Sequence, residues 1–128
     1  PDQGHRVLQP RRLTERAFEG TRQWSAFYQP KAPKTITLEE PEQMIHPGLL
    51  PVLVDATRDY IEEKGGRQVL LTTHSPNLLD MFEPESIVAA TFDEGISNFA
   101  PIADRQLSLI KENLFSAGEL MVREGILR

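Results

Sequence analysis

The stretch from Thr35 to Pro76 reads TITLEEPEQMIHPGLLPVLVDATRDYIEEKGGRQVLLTTHSP, and its pattern decides the fold. Thr35-Ile36-Thr37-Leu38 is a short β-branched run that predicts a strand. Pro41 has no N–H to give to a ladder, so the strand stops by that residue. Pro47 opens the next element, because proline is tolerated in a first helical turn. Over 48–64, Leu49, Leu53, Ala56 and Tyr60 recur at helical spacing beside Leu50, Val54 and Ile61. These residues are expected to be core. Gly65-Gly66 ends the helix, since glycine takes left-handed dihedrals without a Cβ clash. Gln68 to Thr73 predicts a second strand, unbroken in apolar character through Val69-Leu70-Leu71, which predicts burial on both faces. Strand, helix, strand at this spacing is a parallel pair joined by one crossover helix, hence an α/β fold.

Working outward, residues 1–12 read as irregular and Thr14 to Tyr28 as a helix weakened by Gly20. Pro30 to Lys34 is a connector. On the other side, Ser75 predicts an N-cap for a helix with Pro76 in its first position. Ser86 to Phe92 predicts a third strand, Asp93-Glu94-Gly95 a turn, and Ile96 to Ile102 its hairpin partner. Leu107, Ile110 and Leu114 give helical spacing after Asp104. Ser116-Ala117-Gly118-Glu119 matches a capping box before a last short helix. No internal repeat or low-complexity tract interrupts this order.

With 128 residues, 39% hydrophobic and 26% charged, the chain has the composition of one modest globular domain. No apolar run approaches the length of a membrane span, and no basic-then-apolar leader opens the sequence, so no membrane partner is expected. The first residue is Pro1, and the start of the gene product is expected upstream of it. Cysteine is absent, which excludes disulfides, thiolate metal sites and cysteine nucleophiles and accords with an expected cytoplasmic location. A net charge of −5 argues against a dedicated nucleic-acid-binding domain. Arg6, Arg11, Arg12, Arg16 and Arg22 cluster early, leaving local DNA contact open beside the plainer reading of a solvated face.

In open α/β sheets, functional groups gather at the carboxyl ends of the strands. One such end carries Glu39-Glu40, and the other carries His74. A carboxylate there can hold hydrated Mg²⁺, a second can polarise a water, and an imidazole can donate to a developing phosphoryl charge. Taken singly, the three glutamates 39, 40 and 42 read as solvated acids, His74 as a turn histidine, and His46 as a residue that simply precedes the helix. The constellation is what points to phosphoryl transfer.

These residues resemble a family. Thr35 to Glu42 looks like the Walker B strand of ABC-class ATPases, Gln43 to Pro47 like the D-loop, and Leu71 to Pro76 like the switch-histidine loop. Together with Leu114 to Leu120 the combination is similar to the RecF/SMC-like, AAA-type ATPases of bacteria, relatives of the ATPase domains of the overcoming-lysogenisation-defect nucleases. The resemblance covers about residues 26 to 122. It implies a P-loop NTPase fold of ABC type, with 1–30 a degenerate signature-helix region and connector and 31–128 the C-terminal half of the ATPase domain. It implies that Glu39 holds the Mg²⁺ hydration shell, that Glu40 is the general base for the attacking water, and that His74 contacts the γ-phosphate of ATP. His46 falls at the D-loop position that communicates across an ATP-sandwiched homodimer. Gly20, in Phe18-Glu19-Gly20-Thr21, is the nearest match to the nucleotide-contacting signature, with Phe18 where the family has serine. No Gly-x-x-x-x-Gly-Lys-Ser/Thr occurs, so the resemblance implies a separate P-loop half as the partner needed for ATP binding. Two other classes stay open: a non-catalytic remnant or interaction module, and a Mg²⁺-dependent phosphodiesterase built on the glutamates.

Overall fold

The computed structural model describes residues 25–31, 33–63 and 65–126. The predicted helix from Thr14 and the signature-like residues around Gly20 lie outside the described residues, except for the helical turn α1 (Ser25–Tyr28). The chain divides into two compact units between Thr72 and Thr73.

In the first unit, β1 (Thr35–Glu39) pairs in parallel with β2 (Gln68–Thr72), and α2 (Leu50–Glu62) is the crossover. The register sets Ile36 against Val69, Leu38 against Leu71 and Glu39 against Thr72. Ile36 and Leu38 are buried, while Thr35, Thr37 and Glu39 alternate to the exposed face, as the period of a strand dictates. β2 follows the same alternation. Leu70 is 58% exposed, so the expected burial on both faces is not found. The reason is the two-stranded sheet: the face carrying Leu70 has no covering layer among the described residues.

The helix also begins later than its first proline. Pro47–Leu49 forms a 3₁₀ turn, and α2 starts at Leu50. An α-helix from Pro47 would need an N–H at Pro51, which proline lacks, whereas the 3₁₀ bond from Leu50 to the Pro47 carbonyl avoids it. Leu50, Leu53, Val54, Ala56, Thr57 and Tyr60 form the buried stripe. Ile61 was expected in the core and is exposed, in the last turn of α2. Thr57 is admitted by turning its hydroxyl onto the Val54 carbonyl at 2.7 Å, which satisfies its one donor. The Tyr60 ring meets Phe27 edge-on at 5.5 Å, its hydroxyl donates to the Pro33 carbonyl, and Arg67 stacks over it at 4.5 Å. Gly65 and Gly66 take φ 58° and 66°, the left-handed stop anticipated.

The second unit begins with α3 (Pro76–Leu79), capped by Ser75 as anticipated: its Oγ accepts from the Leu78 N–H at 3.3 Å. A hairpin follows, β3 (Val88–Asp93) and β4 (Ile96–Pro101), in antiparallel register. Glu94 and Gly95 form its two-residue loop with φ 47° and 83°, the signs a type I′ turn requires. α4 (Asp104–Lys111) is shorter than the Leu107–Ile110–Leu114 spacing suggests. Asn113 turns left-handed at φ 55°, donates to the Ile110 carbonyl, and passes Leu114 back to the Leu109 carbonyl, closing a Schellman stop. Leu114 is therefore outside the helix and 58% exposed.

α5 (Ala117–Arg123) carries the complete capping box: Ser116 Oγ accepts from the Glu119 N–H at 3.1 Å, and the Ser116 N–H donates to the Glu119 carboxylate at 2.8 Å. Leu79, Ile87, Ile102 and Ala117 form the core of this unit, with Leu107, Ile110, Met121 and Ile126 against it. Among the described residues no helix is long and apolar enough to cross a membrane.

Candidate functional site

The candidate site is built at the carboxyl ends of β1 and β2 in the first unit. The register that pairs Glu39 with Thr72 brings both strands to an end at the same edge. Glu39 is the last residue of β1 and shares the exposed face with Thr35 and Thr37, so its carboxylate is open to solvent. Glu40 comes next and breaks the strand. Its backbone lies in the left-handed region, φ 40° and ψ 56°, a conformation that costs a residue with a Cβ about 1–2 kcal/mol.

Two interactions hold it there. The Glu40 N–H donates to the Thr72 carbonyl at 3.0 Å and to the Thr72 hydroxyl at 3.3 Å. Its own carbonyl accepts from Gln43 at 3.0 Å as the 3₁₀ turn Pro41–Gln43 forms behind it, with Pro41 buried. The half-buried Glu40 side chain is thereby set at a fixed point, where the sheet stops and the turn begins. Strain of this kind persists only where surrounding contacts determine it, and it concentrates at functional positions.

His46 lies six residues on and is exposed. Its Nδ1 accepts from the Gly48 N–H at 3.1 Å, which makes it the N-cap of the Pro47 turn. The ring has a structural task at the entrance to α2.

His74 is the second residue past the end of β2 and opens the second unit. It is exposed and carried on a braced turn: Thr73 Oγ1 accepts from the Ser75 N–H at 2.9 Å, and Ser75 caps α3. Two successive side-chain bonds thus fix the main chain on either side of the imidazole. Gly20 lies outside the described residues.

Thr72 escapes sequence reasoning, which treats it as an ordinary strand residue. A threonine opposite the first glutamate of an acidic pair was the available signal, and only the register reveals it. Asp80 escapes likewise. Its carboxylate accepts from the Gly118 N–H at 2.6 Å and from the Ser116 hydroxyl at 2.9 Å, binding the start of α5 to the end of α3.

The donor set suits one kind of metal. Among the described residues no cluster of three His, Cys, Asp or Glu side chains forms a protein cage for an ion. Mg²⁺ rarely needs one, since it keeps several waters and takes one or two carboxylates plus substrate phosphate oxygens. An exposed carboxylate such as Glu39 at a strand end fits that pattern. The sequence contains no Gly-x-x-x-x-Gly-Lys-Ser/Thr, the loop whose backbone amides cradle phosphates.

Residues 19–80 match a family model described as "AAA domain, putative AbiEii toxin, Type IV TA system". This supports an AAA-type ATPase domain and suggests a P-loop NTPase fold, with which the parallel β1–β2 pair and its crossover helix are consistent. The matched span takes in Glu39, Glu40, His46 and His74 and amounts to just under half of the chain. No curated protein matches the chain, and no solved structure does.

Proposed function

We propose that this chain is the C-terminal, hydrolysis-side part of an ABC-class ATPase of the RecF/SMC-like kind, completed by a P-loop-bearing half. The observation that carries the reading is the left-handed Glu40, pinned through its amide to Thr72 at the carboxyl end of β1, one residue beyond Glu39. The AAA-type match over the same residues supports it.

In this reading Glu39 offers its carboxylate to the water shell of Mg²⁺. Held there with ATP, the metal would supply charge neutralisation at the phosphate oxygens. The Glu40 carboxylate takes a proton from the attacking water, and its fixed backbone keeps that oxygen on line. His74 donates a ring N–H toward the terminal phosphate from the turn braced by Thr73 and Ser75. His46 caps the turn at the D-loop position and aligns α2. Gly20 belongs to the signature-like loop that faces a partner's nucleotide in an ATP-sandwiched homodimer. ATP and Mg²⁺ are thus cofactors of the completed domain, and the isolated chain is inactive.

The test joins this chain to a P-loop half and follows phosphate release. We expect Mg²⁺-dependent hydrolysis, lowered about 10²- to 10⁴-fold by Glu40→Gln with nucleotide binding retained. Turnover unaffected by Glu40→Gln would remove the base from its assigned role. Nucleotide binding without any turnover in the unaltered protein would favour the non-catalytic reading, to which Phe18 in place of a signature serine also points.

A further inference from the structure

The β3–β4 hairpin is built inside out. Antiparallel register places Val88, Ala90 and Phe92 on one face with Pro101, Phe99 and Ser97 opposite them. The other face carries Ala89 and Ala100, then Thr91 and Asn98, and these are the residues its own unit covers wholly or in part. A one-sided antiparallel sheet puts large apolar residues inward and polar ones outward. Here the small and polar residues face inward, while Phe92 and Phe99 are 76% and 70% exposed and Val88 59%. Ile96 at the tip is the exception on the inner face. A two-stranded ribbon is marginal alone, and one whose aromatic face lies bare is a surface made for burial.

We propose that this outer face receives a second copy of the chain, hairpin face against hairpin face about a two-fold axis. Three features select an identical copy. The face carries no ionisable side chain, so two copies bring no like charges together. The acidic residues of the hairpin, Asp93 and Glu94, lie at its tip, and a two-fold with antiparallel ribbons sends the two tips to opposite ends. Two phenylalanines with Val88 and the smaller neighbours offer about 500 Å² per copy, hence about 1,000 Å² for the pair, the lower bound for a specific interface. The resulting dimer is weak and reversible. It requires no nucleotide and is separate from any ATP-sandwiched pairing.

Sedimentation equilibrium of the full chain without nucleotide tests this. The mass should rise with concentration from 14.5 kDa toward twice that value and no further. Phe92→Lys and Phe99→Lys should each weaken association by about tenfold or more. Leu114→Lys, an exposed site outside the hairpin, should leave it unchanged. The chain has no cysteine, so single cysteines report geometry directly. Ala90→Cys should be linked between copies by a bismaleimide spanning about 10 Å, the separation of stacked sheets, and Glu94→Cys at the tip should not. This second readout leaves the aromatic face intact should a lysine variant fail to fold. A chain monomeric up to about millimolar concentration, association that survives Phe99→Lys, or open-ended larger species would each overturn the proposal.

Discussion

The amide of Glu40 donates to two acceptors of a single residue, the carbonyl and the hydroxyl of Thr72, at 3.0 and 3.3 Å. This ties the end of β1 to the end of β2 and holds Glu40 at φ 40°. A residue kept in a costly conformation for chemistry should be replaceable with a gain in stability. Glu40→Gly is therefore expected to be more stable than Glu40→Ala by about 1 kcal/mol, because both lose the carboxylate and only glycine relieves the left-handed strain. Urea unfolding of the two variants checks it. Equal stabilities would mean that the backbone at 40 relaxes once the carboxylate is gone.

Gly118 answers to contact rather than to dihedral freedom. A Cβ there would lie 2.5 Å from the Pro76 carbonyl oxygen and 2.7 Å from the Asp80 carboxylate. The nearest obstacle is backbone, so α3 and α5 would have to part. Gly118→Ala is expected to destabilise the chain by about 1–3 kcal/mol despite alanine's better helix propensity. A shift of the urea midpoint to lower concentration with unchanged slope checks it.

Asp80 and Ser116 act on the same helix start. Asp80 accepts from the Gly118 N–H and the Ser116 hydroxyl, while Ser116 also accepts from Glu119. Asp80→Ala should cost about 1–3 kcal/mol, since it leaves a half-buried amide without its acceptor. Ser116→Ala should cost about 1 kcal/mol through loss of the cap. Because the two share a hydrogen bond, the double variant should fall short of the sum by about 0.5 kcal/mol or more. Additive losses would separate the two interactions.

Elements set by local chemistry were legible in the sequence. β1 stops at Glu39, before Pro41 as that proline requires, Ser75 caps α3, and Ser116 with Glu119 forms its box, each from neighbours a few residues away. What failed depended on a covering layer or on a turn that apolar spacing does not show. The run Val69-Leu70-Leu71 reads as doubly buried, yet Leu70 is exposed, with no layer over it among the described residues. Leu114 fits the helical spacing, but Asn113 turns the chain before it. For the site, the acidic pair and the histidines were visible as residue types at strand ends. The anchoring of Glu40 by Thr72 and the capping of Gly48 by His46 required the register and the turn to be seen.

Acid should loosen the second unit at one identifiable place. Buried Gln106 donates to the Glu124 carboxylate at 3.0 Å, and Arg105 pairs with it at 2.9 Å. The Gln106 hydrogen bond, joined by the charges of Arg105 and Arg123, holds that carboxyl below the usual glutamate range. A carboxylate with a depressed folded-state pKa adds stability above its unfolded value, about 4.3, and loses it as pH falls through the lower folded value. Glu124→Gln should therefore be less stable than the parent chain near neutrality, and the gap should close below about pH 4. Urea midpoints measured across this range decide it; a gap independent of pH would assign the effect to packing.

The proposed function requires Glu39, Glu40 and His74 to act on one bound ATP. A nitroxide on the otherwise cysteine-free chain, placed by Glu40→Cys, measures this through relaxation of the His74 ring signals. The account predicts strong broadening of the His74 signals, absent once the nitroxide is reduced. His74 signals as sharp as in the unlabelled chain would contradict it, because an imidazole held away from the acidic pair cannot share a substrate with it.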